Sequence, residues 1–116
     1  MSTRPDDLYL GDIIEVAAEI EEFIAGIDEA SFVADKRTRR AVIQCLSVIG
    51  EATARISKEL KARYPEVAWR QATDLRNFVI HEYFVLDWKT IWVTVNDDVP
   101  ALARQVTQIQ ELEFPV

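Results

Sequence analysis

Asp35–Arg63 reads DKRTRRAVIQCLSVIGEATARISKELKAR. Within it Val42, Cys45, Ile49, Ala52, Ile56 and Leu60 recur at steps of three and four, the period of one continuous apolar stripe on an α-helix. A half-buried strand would alternate at every second residue, and this stretch does not. The spacing predicts one long helix from about Asp35 to Arg63. Tyr64-Pro65 should end it, because the residue before a proline avoids the helical region. Gly50 falls inside the stripe. A glycine in a helix interior costs roughly 1 kcal/mol against alanine, so a neighbouring helix is expected to approach closely there.

Working outward, Asp6 or Asp7 can cap an earlier helix whose Leu10, Ile13, Ala17, Ile20 and Ile24 follow the same period, with Gly26 as its stop. Residues 28–34 read as a turn or a short helical piece, with Phe32 as an apolar plug under the next helix. A third helix starts near Ala68 and carries Trp69, Ala72, Leu75, Arg76, Val79 and Ile80. A fourth begins at Asp87, a good N-cap, and turns Trp88, Ile91, Trp92, Val95, Val99, Leu102, Val106 and Ile109 inward. Pro100 should kink or restart it, with Asp97 or Asp98 as a second cap. No repeat, linker or second domain is visible, so residues 1–116 read as a single domain with a loose tail at 112–116.

Composition agrees. The chain has 116 residues, 49% of them hydrophobic, with three Gly and four Pro, which suits a few long helices around one modest core. The expected class is all-α, a four-to-five-helix up-and-down bundle. So small a bundle commonly completes its core by pairing, and a homodimer is expected. The single Cys45 excludes an internal disulfide and the single His81 excludes a His-rich metal site within one chain, so no metal and no cofactor are expected. The polar start, Met1 to Asp7, does not resemble a signal peptide, and no apolar run would span a membrane, so the expected location is the cytoplasm. The formal net charge of -7 argues against binding nucleic acid through the overall field. A local basic site would have to overcome it.

The stretch that can carry chemistry is Asp74-Leu75-Arg76-Asn77-Phe78-Val79-Ile80-His81-Glu82-Tyr83. It sets the only histidine beside an arginine, an amide and a tyrosine. On a continuing α-helix Asn77 and His81 share one stripe and Arg76 and Tyr83 an adjacent one. Arg76 and His81 stand about 140° apart. They meet over one substrate only if the helix end unwinds or two subunits bring copies together. These residue types suit RNA cleavage without a metal. His81 can take a proton from a ribose 2′-hydroxyl or give one to the leaving oxygen. Arg76 can stabilise charge on the phosphate with its fork of donors, and Asn77 can orient the imidazole or bind the sugar-phosphate. Read blind, the same residues have plainer roles: a hydrogen-bonded histidine at a helix end, and an arginine paired with Asp74, Glu51 or Glu82.

The ordered set Arg76, four residues, His81, one residue, Tyr83 resembles the signature of the HEPN superfamily, in the form seen in HepT-like toxins. Asp6-Asp7-Leu8-Tyr9-Leu10, Asp35-Lys36-Arg37-Thr38, Ile49-Gly50-Glu51-Ala52, Tyr64-Pro65 with Trp69-Arg70, and Asp87-Trp88 with Ile91-Trp92 extend the likeness almost end to end. The resemblance implies a dimeric, metal-independent endoribonuclease toxin with two copies of the motif along a shared cleft. Arg76 and His81 would carry cleavage, with Asn77 beside the arginine. It further implies a minimal nucleotidyltransferase antitoxin as partner, in a hetero-complex that can be larger than a dimer. That partner could inhibit by attaching AMP to Tyr83, whose plainer role is an aromatic packed over the core.

The remaining features divide between function and packing. Lys36-Arg37-Thr38-Arg39-Arg40 is the one dense basic cluster, and Lys36, Arg37 and Arg40 are candidates for RNA or partner binding. Its plainer reading is a solvated helix start. Glu51 can hold Arg76 in place or simply be exposed. Trp69, Trp88 and Trp92 suit a core or dimer interface rather than base stacking, and Cys45 a buried small hydrophobe. Glu15, Glu19, Glu21 and Glu22 make an acidic surface on the first helix. Two alternatives to the ribonuclease stand: a non-catalytic helical subunit docking a nucleotidyltransferase, and a nucleotide-binding helper whose Arg76, Asn77 and His81 hold a phosphate.

Overall fold

The computed structural model describes residues 5–79 and 87–116, and every regular element among them is helical. Three long helices form the frame: α1 (Asp6–Ile24), α3 (Lys36–Arg55) and α7 (Val99–Glu113). Shorter pieces join them: α2 (Glu29–Ala34), α4 (Lys58–Arg63), α5 (Trp69–Asp74) with a 3-10 turn over Leu75–Val79, and α6 (Trp88–Val93) with a π-helical turn over Thr94–Asp98. The start of α1 meets the chain just past the end of α3 through Asp6 and Ser57, and the end of α7 through Asp7 and Gln110. Both neighbours therefore run antiparallel to α1, as an up-and-down bundle requires. No helix among the described residues is long and apolar enough to cross a membrane.

The apolar stripes meet inside. Leu10, Ile13 and Ile20 of α1, Val42, Leu46 and Ile49 of α3, and Val106 and Ile109 of α7 are all buried. Cys45 joins them, and burial, with the nearby charge of Glu19 adding, pushes its thiol up to about 11. It is a packing residue rather than a nucleophile. Gly26, with φ of 76°, takes the left-handed conformation just past the end of α1, where glycine is unstrained. Asp28 then caps α2 by accepting from the Ser31 amide at 2.8 Å. Phe32 is fully buried, and its partners are the tryptophans of α6: edge-on to Trp88 at 6.1 Å and tilted against Trp92 at 5.2 Å. Asp35 caps α3 through the Thr38 amide and hydroxyl.

The helix expected over Asp35–Arg63 is two helices. Ile56 is extended, with ψ of 140°, and Ser57 opens α4 by accepting from the Leu60 amide. The Asp6 carboxylate accepts from both the Ser57 amide (2.9 Å) and its hydroxyl (2.6 Å). The free end of α3 is thus replaced by a cap and a crosslink to α1, while Ile56 and Leu60 stay buried. Asp6→Ala should lower stability by about 1–2 kcal/mol, since it removes a half-buried charged acceptor from two donors. Urea titration of Asp6→Ala, Ser57→Ala and the double variant checks this. A double variant that costs less than the sum of the two single ones is expected, because both remove the bond between the Ser57 hydroxyl and Asp6.

Two further departures shape the second half. The α-helix expected from Ala68 through Ile80 ends at Asp74 and tightens into the 3-10 turn; Ile80 lies outside the described residues. The fourth helix starts at Asp87 as expected, its carboxylate accepting from the Lys89 and Thr90 amides. Pro100 does not restart it with a cap. Asp98 has helical backbone and makes no side-chain cap, and the wide π turn before Pro100 accommodates the missing N–H. At the other end, α7 continues into the tail expected to be loose: Arg63 binds Glu113 at 2.7 Å and Tyr64 donates to it at 2.6 Å. Hydrogen bonds from Ser31, Thr38, Thr90 and Arg63 hold the carboxyls of Asp28, Asp35, Asp87 and Glu113, in that order, below their ordinary range. What they add to stability is complete at neutral pH and is lost as pH falls through those lowered values.

Candidate active site

Gly50 determines where Arg76 sits. A Cβ on Gly50 would fall on the Arg76 backbone nitrogen, 2.7 Å from the Arg76 Cβ and 2.8 Å from the Thr73 carbonyl oxygen. The end of α5 and the 3-10 turn therefore lie directly on the α3 backbone, the close approach expected at this glycine. Trp69 sets the other end of α5, its indole N–H donating to the Tyr64 carbonyl at 2.9 Å.

From that seat the Arg76 side chain reaches outward. Its Nη1 donates to Glu51 Oε1 at 3.2 Å, one residue beyond the glycine. Of the partners open to Arg76, Glu51 is the one it takes among the described residues. The pair is half exposed, 44% for Arg76 and 47% for Glu51. At that exposure it is worth at most about 1 kcal/mol. It orients the guanidinium without consuming it, and the remaining N–H donors can take a phosphate. Asn77 is exposed beside it, while Leu75 and Phe78 pack against the core.

His81 and Tyr83 lie outside the described residues. Leaving α-helical geometry at Leu75 removes the premise for placing Asn77 with His81, and Arg76 with Tyr83, by ideal helical angles.

Glu51 also borders a hollow of about 320 Å³ between α1 and α3, lined by Tyr9, Asp12, Val48, Ala52 and Arg55. Tyr9, Asp12 and Arg55 were not singled out from sequence. Arg55 stands one turn from Glu51 and was legible by spacing. The α1 residues were not, because their place depends on the antiparallel register. Among the described residues no group of three His, Cys, Asp or Glu side chains could hold a metal ion.

The basic cluster divides. Lys36, Arg37 and Arg40 are exposed at the start of α3. Arg39 instead lies over Trp88, its guanidinium carbon 4.7 Å from the ring centroid, with Nε buried and unbonded. It is a packing residue, and Trp88 and Trp92 serve the core through Phe32.

Residues 13–109 match the family model for ribonuclease HepT-like proteins. A candidate RNase of Methanocaldococcus jannaschii is 39% identical over 106 residues, 91% of this chain and 97% of that one. A candidate ribonuclease HepT of Thermococcus cleftensis is 39% identical over 103 residues, 89% and 94% of the two chains. A candidate RNase of Caldanaerobacter subterraneus is 33% identical over 105 residues, 90% and 94%. No solved structure matches.

Proposed function

Since this chain belongs to the HepT-like ribonuclease family, we propose that it is a metal-independent endoribonuclease using Arg76 and His81. The observation that carries the reading is the seat of Arg76: backbone pressed onto Gly50, side chain held by Glu51 and half exposed. Such a group stabilises charge on a phosphate that is already in place. His81 takes the proton of the ribose 2′-hydroxyl. The 2′-oxygen attacks phosphorus, the bond to the 5′-oxygen breaks, and that oxygen leaves with a proton from an acid, for which the second His81 of a homodimer is suited. The products are a 2′,3′-cyclic phosphate and a 5′-hydroxyl. DNA lacks the 2′-hydroxyl and is spared. Asn77 holds the imidazole or the sugar-phosphate.

In this reading the protein is a cytoplasmic toxin whose partner is a minimal nucleotidyltransferase antitoxin. AMP attached to Tyr83 would add bulk and negative charge seven residues along the chain from Arg76, repelling the phosphate. Induced expression tests the core of it. Wild type should arrest growth and lose RNA, and His81→Ala, at matched expression, should do neither. Equal growth with intact RNA in both, from folded protein unmodified at Tyr83, would mean a non-catalytic subunit of the nucleotidyltransferase instead.

A further inference from the structure

We propose that the outer face of α3 is the track along which single-stranded RNA reaches Arg76; this rests on the ribonuclease reading above and names the surface that holds its substrate. At about 100° per residue, Lys36, Arg37, Arg40, Glu51 and Arg55 project from one side of α3. Glu51 is half exposed and the four cations are exposed. The flanks of that face are taken. The turn carrying Arg76 and the ring of Trp88 cover one side, at Gly50 and Arg39, and α1 covers the other.

What remains among the described residues is a strip whose carboxylates are Glu51, already bonded to Arg76, Asp35 at its basic start, near enough to Arg37 to feel its charge, and Asp12 of α1 at its edge beside Arg55. Gln44 and Ser47, between the basic start and Glu51, carry no charge. In a chain of net charge -7, this strip gathers Lys36, Arg37, Arg40, Arg55 and Arg76. A polyanion is the ligand such a strip fits, because its cations make a local basic surface on a chain that is acidic as a whole. Arg40 and Arg37 stand about 16 and 21 Å along the axis from Glu51, and Arg55 about 6 Å beyond it. The strand should therefore be held mostly on one side of the cleaved bond.

Binding can be read apart from cleavage. Fluorescence anisotropy would follow a labelled, mixed-sequence single-stranded RNA against His81→Ala protein, with and without Arg37→Gln and Arg40→Gln, across a salt series. Losing both arginines should weaken binding roughly tenfold and flatten the plot of log affinity against log salt by about 1.4, near 0.7 per phosphate contact. Lys89→Gln with Arg104→Gln, exposed cations on α6 and α7, should change neither. Matched melting temperatures show that the variants fold. No RNA binding by His81→Ala, or binding indifferent to Arg37 and Arg40, overturns the track. If RNA binding is indifferent but neutralisation by the nucleotidyltransferase is lost, the face is a protein dock and the track is again overturned. Wild type that binds through Arg37 and Arg40 yet never cleaves would sink the ribonuclease reading and leave the track standing.

Discussion

Arg76→Ala should lower the single-turnover rate of RNA cleavage by about a hundred- to a thousandfold, with substrate affinity changed far less. The size follows from the role: removing one preorganised donor to a transition-state oxyanion typically costs that much. The asymmetry follows from the proposed track, in which affinity would be spread over the cations of α3, while Arg76 is the residue seated on Gly50. Arg76→Lys should recover only part of the rate. A lysine keeps the charge but not the fork that can serve Glu51 and a phosphate together. Glu51→Gln should cost only a few-fold, because the pair is half exposed and an amide oxygen can still accept from the guanidinium. Single-turnover kinetics on one RNA give all three values. If Arg76→Ala weakened binding and left the rate constant intact, Arg76 would be a substrate-holding residue and the transition-state role would fall.

Much of the candidate site rests on features that are legible in the chain itself, and for a common reason. Gly50 announces itself locally as the residue a helix tolerates least in mid-stripe, short of proline. Glu51 follows it, and the ordered spacing of Arg76, His81 and Tyr83 is a property of the chain itself. What escaped reading depends on distant partners. Ser57 is an unremarkable polar residue inside a helical period until Asp6, fifty-one positions earlier, offers it a carboxylate. Arg39 looks like its basic neighbours until Trp88 arrives beneath it. Pro100 signals an interruption, but the relief came from a widened turn rather than from the aspartates that stood ready as caps. The 3-10 turn at Leu75–Val79 had no signature in the periodicity, because apolar residues spaced at three and four suit both helix types over so short a run.

The second large effect is expected at Gly50, a residue that touches no substrate. Gly50→Ala adds one methyl group, and helix propensity alone would favour it by about 1 kcal/mol. The atoms it meets are the Arg76 backbone nitrogen, the Arg76 Cβ and the Thr73 carbonyl oxygen, none of which can swing aside as a side-chain tip would. The end of α5 and the turn after it must lift from α3 together. Overpacking of this kind costs about 1–3 kcal/mol, so net stability should fall despite the better helix former. Catalysis should suffer more, because a displacement of about 1 Å in a reacting group can cost a hundredfold. Gly11→Ala supplies the control on α1. There the added Cβ would lie 3.6 Å from Gln110 Nε2, an ordinary contact, so stability should hold or rise slightly and cleavage persist. Urea titrations and cleavage rates on the same preparations decide it. A Gly50→Ala protein as stable and as active as wild type would mean that the turn can ride up without moving the guanidinium, and that Glu51 rather than Gly50 positions Arg76.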